Sequence, residues 1–224
     1  LGASSWESVV EVSDAGTRIR KVNKSEVGKT LHQAKIEEQK LTEKTLIIFT
    51  GDNGTAVSVT SVMNGRVIKG GKGSTLDTGN HVPFIVSWPG TIKAGITSKA
   101  IVNFSDIFPT VAEVAKASVE HKIDGISFLP HLRGGNAKRQ TSYCWYARNG
   151  GPNGKEFAHT GKWKLYRNDK FYNVYKDVTE KNPIKINSLN DKTRSIHSKL
   201  QKELDLMKGT RTIFDLSKYP LFHR

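Results

Sequence analysis

The run TLIIFT at residues 45–50 constrains the fold of this chain more than any other feature. Apolar and β-favouring residues follow one another there without polar alternation, the pattern of a short strand covered on both faces. Just upstream, Val27, Leu31, Ala34 and Leu41 recur at helical spacing among Lys, Glu and Gln. That spacing predicts a helix over 26–41, with Ser25 as its N-cap. A helix feeding a doubly covered strand is half of a parallel α/β repeat.

The rest of the chain extends this pattern and then breaks it. Residues 1–25 show little periodicity, and residues 51–81 read as one long connection rich in Gly, Ser and Thr. VPFIVSW (82–88) is a second strand, stopped by Pro89-Gly90. DIFPTVAEVAKA (106–117) is a helix with Ile107, Val111, Val114 and Ala115 on one side, and Pro109 in its first turn. After about residue 135 come TSYCWYA, KWKLYR and FYNVYK, short aromatic strands between Gly- and Asn-rich turns. They predict an antiparallel sheet, with a helix over 191–207 packing Ile196, Leu200, Leu204 and Met207 onto it. The fold class is therefore α/β: residues 1–135 as part of a mostly parallel sheet flanked by helices, and residues 136–224 as a small antiparallel subdomain.

Charge divides the same way. Net charge is +14. Residues 1–120 hold 14 Lys+Arg against 12 Asp+Glu, a net of +2, and residues 121–224 hold 21 against 9, a net of +12. The second half suits an anionic partner, a sulfated glycan ahead of nucleic acid, or a solvated lysine-rich exterior. No apolar run reaches the ~18 residues of a membrane span, and no membrane partner is expected. The start, Leu1-Gly2-Ala3, reads as a cut edge. The single cysteine, Cys144, excludes an internal disulfide; it reads as a small apolar strand residue, with a catalytic thiol as the lesser reading.

Two stretches carry chemistry. Asp52 and Asn53 follow the first strand at its carboxyl end, where open α/β sheets bind ligands. A carboxylate beside an amide oxygen suits Ca²⁺ or Mg²⁺, although on composition alone Asp-Asn-Gly reads first as common turn chemistry. KGGKGSTLDTGNHVPF (69–84) surrounds Lys72 with glycines, which expose backbone N–H groups to an anion. It is not a P-loop, since Arg66 and Gly73 occupy positions that need Gly and Ser/Thr.

Taken together, TLIIFTGDNG, GGKGSTLDTGNHVPFIVSWPG, VNFSDIFPTVAEVA and DGISFLPHLRGG resemble, in order and spacing, the C-terminal half of a type I sulfatase, of the alkaline phosphatase-like superfamily. GKWKLYRNDKFYNVYKD is similar to the small C-terminal subdomain of those enzymes, so the resemblance spans about residues 26–207. It implies hydrolysis of sulfate esters, with Asp52 and Asn53 as ligands of a divalent cation, Ca²⁺ or alternatively Mg²⁺. Lys72 would be the catalytic lysine that contacts the sulfate. His159 and Arg148 are further candidates to bind substrate, a sulfated carbohydrate or a small aryl sulfate. A periplasmic or secreted location follows from the resemblance alone.

The resemblance also implies what this chain does not supply. Sulfatases convert the Cys or Ser of a Cys/Ser-x-Pro-x-Arg motif to formylglycine, and Cys144-Trp145-Tyr146 does not match it. The nucleophile and the remaining metal carboxylates are expected in an N-terminal half of the same enzyme, without which this chain should be inactive. The chain is then a fragment or split subunit, or else a degenerate relative. His81 stands where many relatives carry Arg. His131 and Arg133 are expected in a loop without chemical role, and Trp88 as a packing residue. Asn23, Asn53 and Asn103 begin Asn-x-Ser/Thr sequons. Two alternatives stay open: a phosphodiesterase or phosphonate hydrolase of the same superfamily, and a non-catalytic anion-binding module.

Overall fold

The computed structural model describes residues 6–13, 16–23, 31–63, 65–147 and 154–210. They fall into two units, residues 1–47 with 87–91, and residues 48–86 with 92–224.

In the first unit, β1 (Trp6–Ser13) and β2 (Gly16–Asn23) form an antiparallel hairpin, paired from Trp6↔Asn23 to Ser13↔Gly16. Little periodicity marks it among residues 1–25, because its apolar residues alternate only in part. Helix α1 (Leu31–Glu38) is shorter than the predicted 26–41. Ser25 and Val27 lie outside the described residues. At the other end Lys40 turns left-handed at φ 56°, and the Leu41 amide donates back to the Ile36 carbonyl over 2.9 Å. This Schellman closure takes Leu41 out of the helix. Trp88 donates its indole N–H to the Glu43 carbonyl at 2.8 Å.

Strand β3 (Ile47–Thr50) carries the chain out of the first unit and into the second. The predicted long connection is in fact structured: β4 (Thr60–Met63) and β5 (Arg66–Lys69) pair as an antiparallel hairpin, and α2 (Asp77–Asn80) is a single turn. Strand β6 (Phe84–Ser87) pairs with β3 in a two-stranded sheet. Phe49 is exposed on β3, as Ile85 is on β6, so the double coverage expected of β3 is not met among the described residues.

Helix α3 (Ile107–Val114) continues a short 3-10 turn, Phe104–Asp106, which is closed by a capping box on Asn103; Pro109 lies in the first turn of α3. It stops at Val114, short of the predicted Ala117, where Lys116 adopts a left-handed φ of 55°. Its inward face is not the aliphatic one foreseen. Val111 is exposed, while Asp106, Thr110 and Ala112 are buried. The reason is a polar lattice. Asp106 accepts from the amides of Asn103 and Ile126, each at 2.8 Å, and from Arg139 Nε and Nη2, each at 2.6 Å. Thr110 accepts from the Phe128 amide at 3.0 Å. Helix α4 (Leu129–Leu132) contains His131, whose ring bonds Ser98 Oγ at 2.8 Å. The loop expected there is thus a short helix.

Strands β7 (Ser142–Tyr146), β8 (Lys155–His159), β9 (Trp163–Tyr166) and β10 (Phe171–Asn173) form the antiparallel sheet, in order β10-β9-β8-β7. Helix α5 (Asp191–Leu206) is capped by Asn190, which accepts from the Thr193 amide. Its Leu200 and Leu204 are fully buried with Ala158, Leu165 and Phe171, and Trp163 and Ile196 pack against them. Burying one such leucine contributes roughly 1.5–3 kcal/mol. Side chains alternate along a strand, so one face of this sheet belongs to α5. The other face carries Phe157, His159, Lys164 and Tyr166, with Phe157 opposite Tyr166 and His159 opposite Lys164.

Candidate functional site

The chain crosses one small region of the second unit three times. Strand β3 delivers Asp52 and Asn53 at its carboxyl end. Both are exposed, and Asn53 Nδ2 donates to Asp52 Oδ2 at 2.7 Å. The loop then turns beneath the segment from 70 to 80. The Gly54 amide donates to the Gly79 carbonyl at 2.9 Å, and the Lys72 amide donates to the Thr55 carbonyl at 2.9 Å. A Cβ on Gly54 would lie 2.1 Å from the Thr78 carbonyl oxygen, and one on Gly71 would lie 2.2 Å from Thr78 Oγ1. Only glycine allows backbones this close. The ammonium-bearing chain of Lys72 is exposed.

The donors at the end of β3 are one carboxylate and one amide, the hard oxygen chemistry of Ca²⁺ and Mg²⁺ sites. Among the described residues, no group of three or more His, Cys, Asp or Glu side chains gathers as a metal cluster.

The third crossing comes from the antiparallel sheet, whose face away from α5 meets the segment 74–81. Lys164 is 2% exposed. Its ammonium donates to the Thr75 carbonyl at 2.5 Å and to Glu180 Oε1 at 2.8 Å, and it sits 4.3 Å from the Phe157 ring centre. Tyr166 Oη lies 2.5 Å from Glu180 Oε2 and 3.0 Å from Thr75 Oγ1. Burial, then the bond to Glu180, raises the phenol well above its usual pKa.

His159 stands beside Lys164 on that face. Its Nδ1 accepts from the Gly161 amide at 3.1 Å, which leaves the proton of the neutral ring on Nε2. Burial lowers its pKa to about 4, and Lys164 adds to the effect. The imidazole is therefore neutral near pH 7. His81 bonds Asp77 at 3.2 Å across α2. That bond raises the His81 pKa against the opposing effect of burial. The Asp77 carboxyl is shifted down: burial, the largest influence, pushes it up, but the bond to His81 and the charges of His81 and Lys164 together outweigh it. His159 also feels Asp77 and His81, so all three lie in one electrostatic neighbourhood.

The structure thus brings Asp52, Asn53 and Lys72 onto adjoining loops, and brings His159 to the segment that follows Lys72. Arg148 lies outside the described residues. Cys144 is half-buried on β7, with its thiol pKa raised by burial. Asn103 donates to Ser142 Oγ at 2.5 Å and accepts from Ser105, so its side chain serves the fold. Lys164, Tyr166, Glu180 and Asp77 went unnoticed in the sequence. The available signal was Lys164 and Tyr166 sharing one face of a strand whose other face is apolar.

Comparison with known proteins points the same way. The family model described as Sulfatase matches residues 26–117, and that described as N-sulphoglucosamine sulphohydrolase, C-terminal, matches residues 72–210. An ulvan-active sulfatase of Formosa agariphila is 35% identical over 100 residues, covering 45% of this chain and 17% of its own. Human arylsulfatase A is 33% identical over 129 residues, covering 56% of this chain and 25% of its own. The matches thus span about a quarter or less of these relatives' length. A solved structure of a protein with its substrate D-glucosamine-2-N,6-O-disulfate superimposes with a TM-score of 0.57 at 23% identity, over 77% of this chain and 36% of the other. The loops that converge around Lys72 are therefore those of a known lineage: this chain belongs to the type I sulfatases of the alkaline phosphatase-like superfamily.

Proposed function

We propose that this chain is the C-terminal portion of a sulfate ester hydrolase acting on a sulfated carbohydrate. The observation that carries the reading is the seam between the two loops. The Lys72 amide bonds the Thr55 carbonyl, so Lys72 rises from backbone held against the turn that presents Asp52 and Asn53.

In this reading Asp52 and Asn53 are two of the ligands of a Ca²⁺ ion, with Mg²⁺ as the alternative. They fit, because they are adjacent and exposed and supply a carboxylate and an amide oxygen. Two donors are a minority of the ~6–8 that Ca²⁺ takes, so the remainder, like the formylglycine nucleophile, belongs to an N-terminal half of the enzyme. Bound there, the cation supplies charge neutralisation to a sulfate group as its ester bond breaks. Lys72 is the catalytic residue of this chain. Its ammonium holds a non-bridging sulfate oxygen and stabilises the negative charge that develops. His159, neutral with its proton on Nε2, offers a hydrogen-bond donor to the substrate. Arg148 is assigned to the anionic sugar on sequence grounds alone.

The substrate class is supported by the sulfated glucosamine bound in the superimposed structure and by the +12 charge of residues 121–224. The test is turnover by the full-length protein. Glucosamine 6-O-sulfate, an aryl sulfate and a phosphonate monoester are each supplied with Ca²⁺, to wild type and to Lys72→Ala. Hydrolysis of the sulfate esters, lost by at least about 100-fold in Lys72→Ala, is the expected result. Preference for the phosphonate would overturn the sulfatase reading, and unchanged turnover would remove Lys72 from it.

A further inference from the structure

A lysine that must meet a sulfate needs a backbone that does not drift. The segment 70–80 is braced from within: the Ser74 amide and Oγ both donate to the Gly71 carbonyl, at 2.9 and 2.7 Å, and the Gly79 amide donates to Leu76 at 2.8 Å. Internal bonds alone fix the shape of a loop and not its place. The seam to Thr55 holds one flank. The other flank is Thr75, three residues after Lys72 and 4% exposed.

Thr75 is gripped from outside its own loop. Its carbonyl accepts from the Lys164 ammonium at 2.5 Å, in addition to Asn80 Nδ2 at 2.9 Å, and its hydroxyl meets Tyr166 Oη at 3.0 Å. Lys164 and Tyr166 both close on Glu180, whose side chain is 5% exposed. Glu180 adopts a left-handed φ of 52°, an uncommon conformation for a residue with a Cβ. A fully buried ammonium is costly to desolvate, and here it is matched by a carboxylate, a carbonyl and the Phe157 ring. That arrangement places a fixed charge where an apolar residue would have packed at lower desolvation cost. What it gains is direction, since the ammonium and the phenol both address one residue of the Lys72 loop.

The geometry points to Lys164 as a positioning residue for Lys72, acting through Thr75, with Glu180 and Tyr166 completing the clamp. The inference rests on the proposed role of Lys72 in sulfate ester hydrolysis. Lys164 touches no substrate; it is sealed beneath the loop. Its effect is to hold the antiparallel sheet and the Lys72 loop in one register, so that subdomain and loop share a single geometry.

The experiment has two arms on the full-length protein. Amide hydrogen exchange compares wild type with Lys164→Met and with Tyr166→Phe, which removes only a hydroxyl. Faster exchange at Lys72, Ser74 and Gly79, with α5 and β8 unchanged, is expected. Unchanged exchange at those amides overturns the clamp. Turnover of an aryl sulfate is then measured for Lys164→Met, Lys72→Ala and the pair. Lys164→Met should lower kcat by about tenfold or more, and Tyr166→Phe by about fivefold, with KM moving less. In the Lys72→Ala background Lys164→Met should cost nothing further. A multiplied loss there overturns positioning through Lys72, because general weakening of the fold would act whether Lys72 is present or not. Should wild type hydrolyse no sulfate ester at all, the functional reading fails, and the exchange arm still decides whether Lys164 holds the loop.

Discussion

The Lys72 amide donates to the Thr55 carbonyl over 2.9 Å, joining two loops that are seventeen residues apart in the chain. One loop begins with Asp52 and Asn53, and the other carries the exposed ammonium of Lys72. The seam is made by backbone, so its closeness depends on what is missing from the side chains around it.

Gly54 is the point where that closeness is greatest. Gly54→Ala would put a methyl group 2.1 Å from the Thr78 carbonyl oxygen. Neither atom sits at the end of a flexible side chain, so the loops must part. A destabilisation of about 1–3 kcal/mol is expected, read from the urea midpoint of the purified protein. A midpoint equal to wild type would show that the loops can separate without cost.

Asp106 anchors the second unit. It is 1% exposed and accepts from two amides and two nitrogens of Arg139. Asp106→Ala leaves the Arg139 guanidinium without its buried partner, and about 3–5 kcal/mol of stability should be lost. Replacement of both residues by apolar ones should recover part of that loss. Equal stability of the single and double variants would count against the ion pair as the source.

His159 should make stability depend on acidity. Its pKa is about 4 when folded, against 6.5 for a free imidazole. Between those values the unfolded chain binds the proton and the folded chain does not. Stability therefore falls as pH drops from about 6.5 towards 4, by as much as ~3 kcal/mol for the full shift. His81 works in the opposite sense, since its raised pKa adds stability at low pH that is lost as pH rises through it. His159→Gln should flatten the acid side of the stability profile. Parallel profiles for the variant and wild type would refute the assignment.

Calcium dependence is the expectation for Asp52 and Asn53. Added Ca²⁺ should raise the Tm of the full-length protein, and a chelator should suppress the proposed hydrolysis of sulfate esters by about 100-fold. Asp52→Ala should abolish the Tm response. A variant that still responds fully would place the cation elsewhere.

Much of this was legible in the residues. The stripe of Ile196, Leu200 and Leu204 foretold a helix on an antiparallel sheet, because periodicity reports which face of an element meets the core. Asp52, Asn53 and Lys72 stood out because the order and spacing of GDNG and GGKG carry the family resemblance. The polar lattice of Asp106, Thr110 and Arg139 was not legible. Pattern reasoning assigns buried faces to apolar residues and has no way to credit a carboxylate whose charged partner lies 33 residues away. Lys164 was hidden for the same reason: a lysine in a strand reads as exposed until its partners, at Thr75 and Glu180, are placed beside it. Local sequence determined the elements and the chemical groups at their ends. Only the tertiary structure decided which groups meet, because backbone seams and buried charges depend on distances that no run of neighbouring residues encodes.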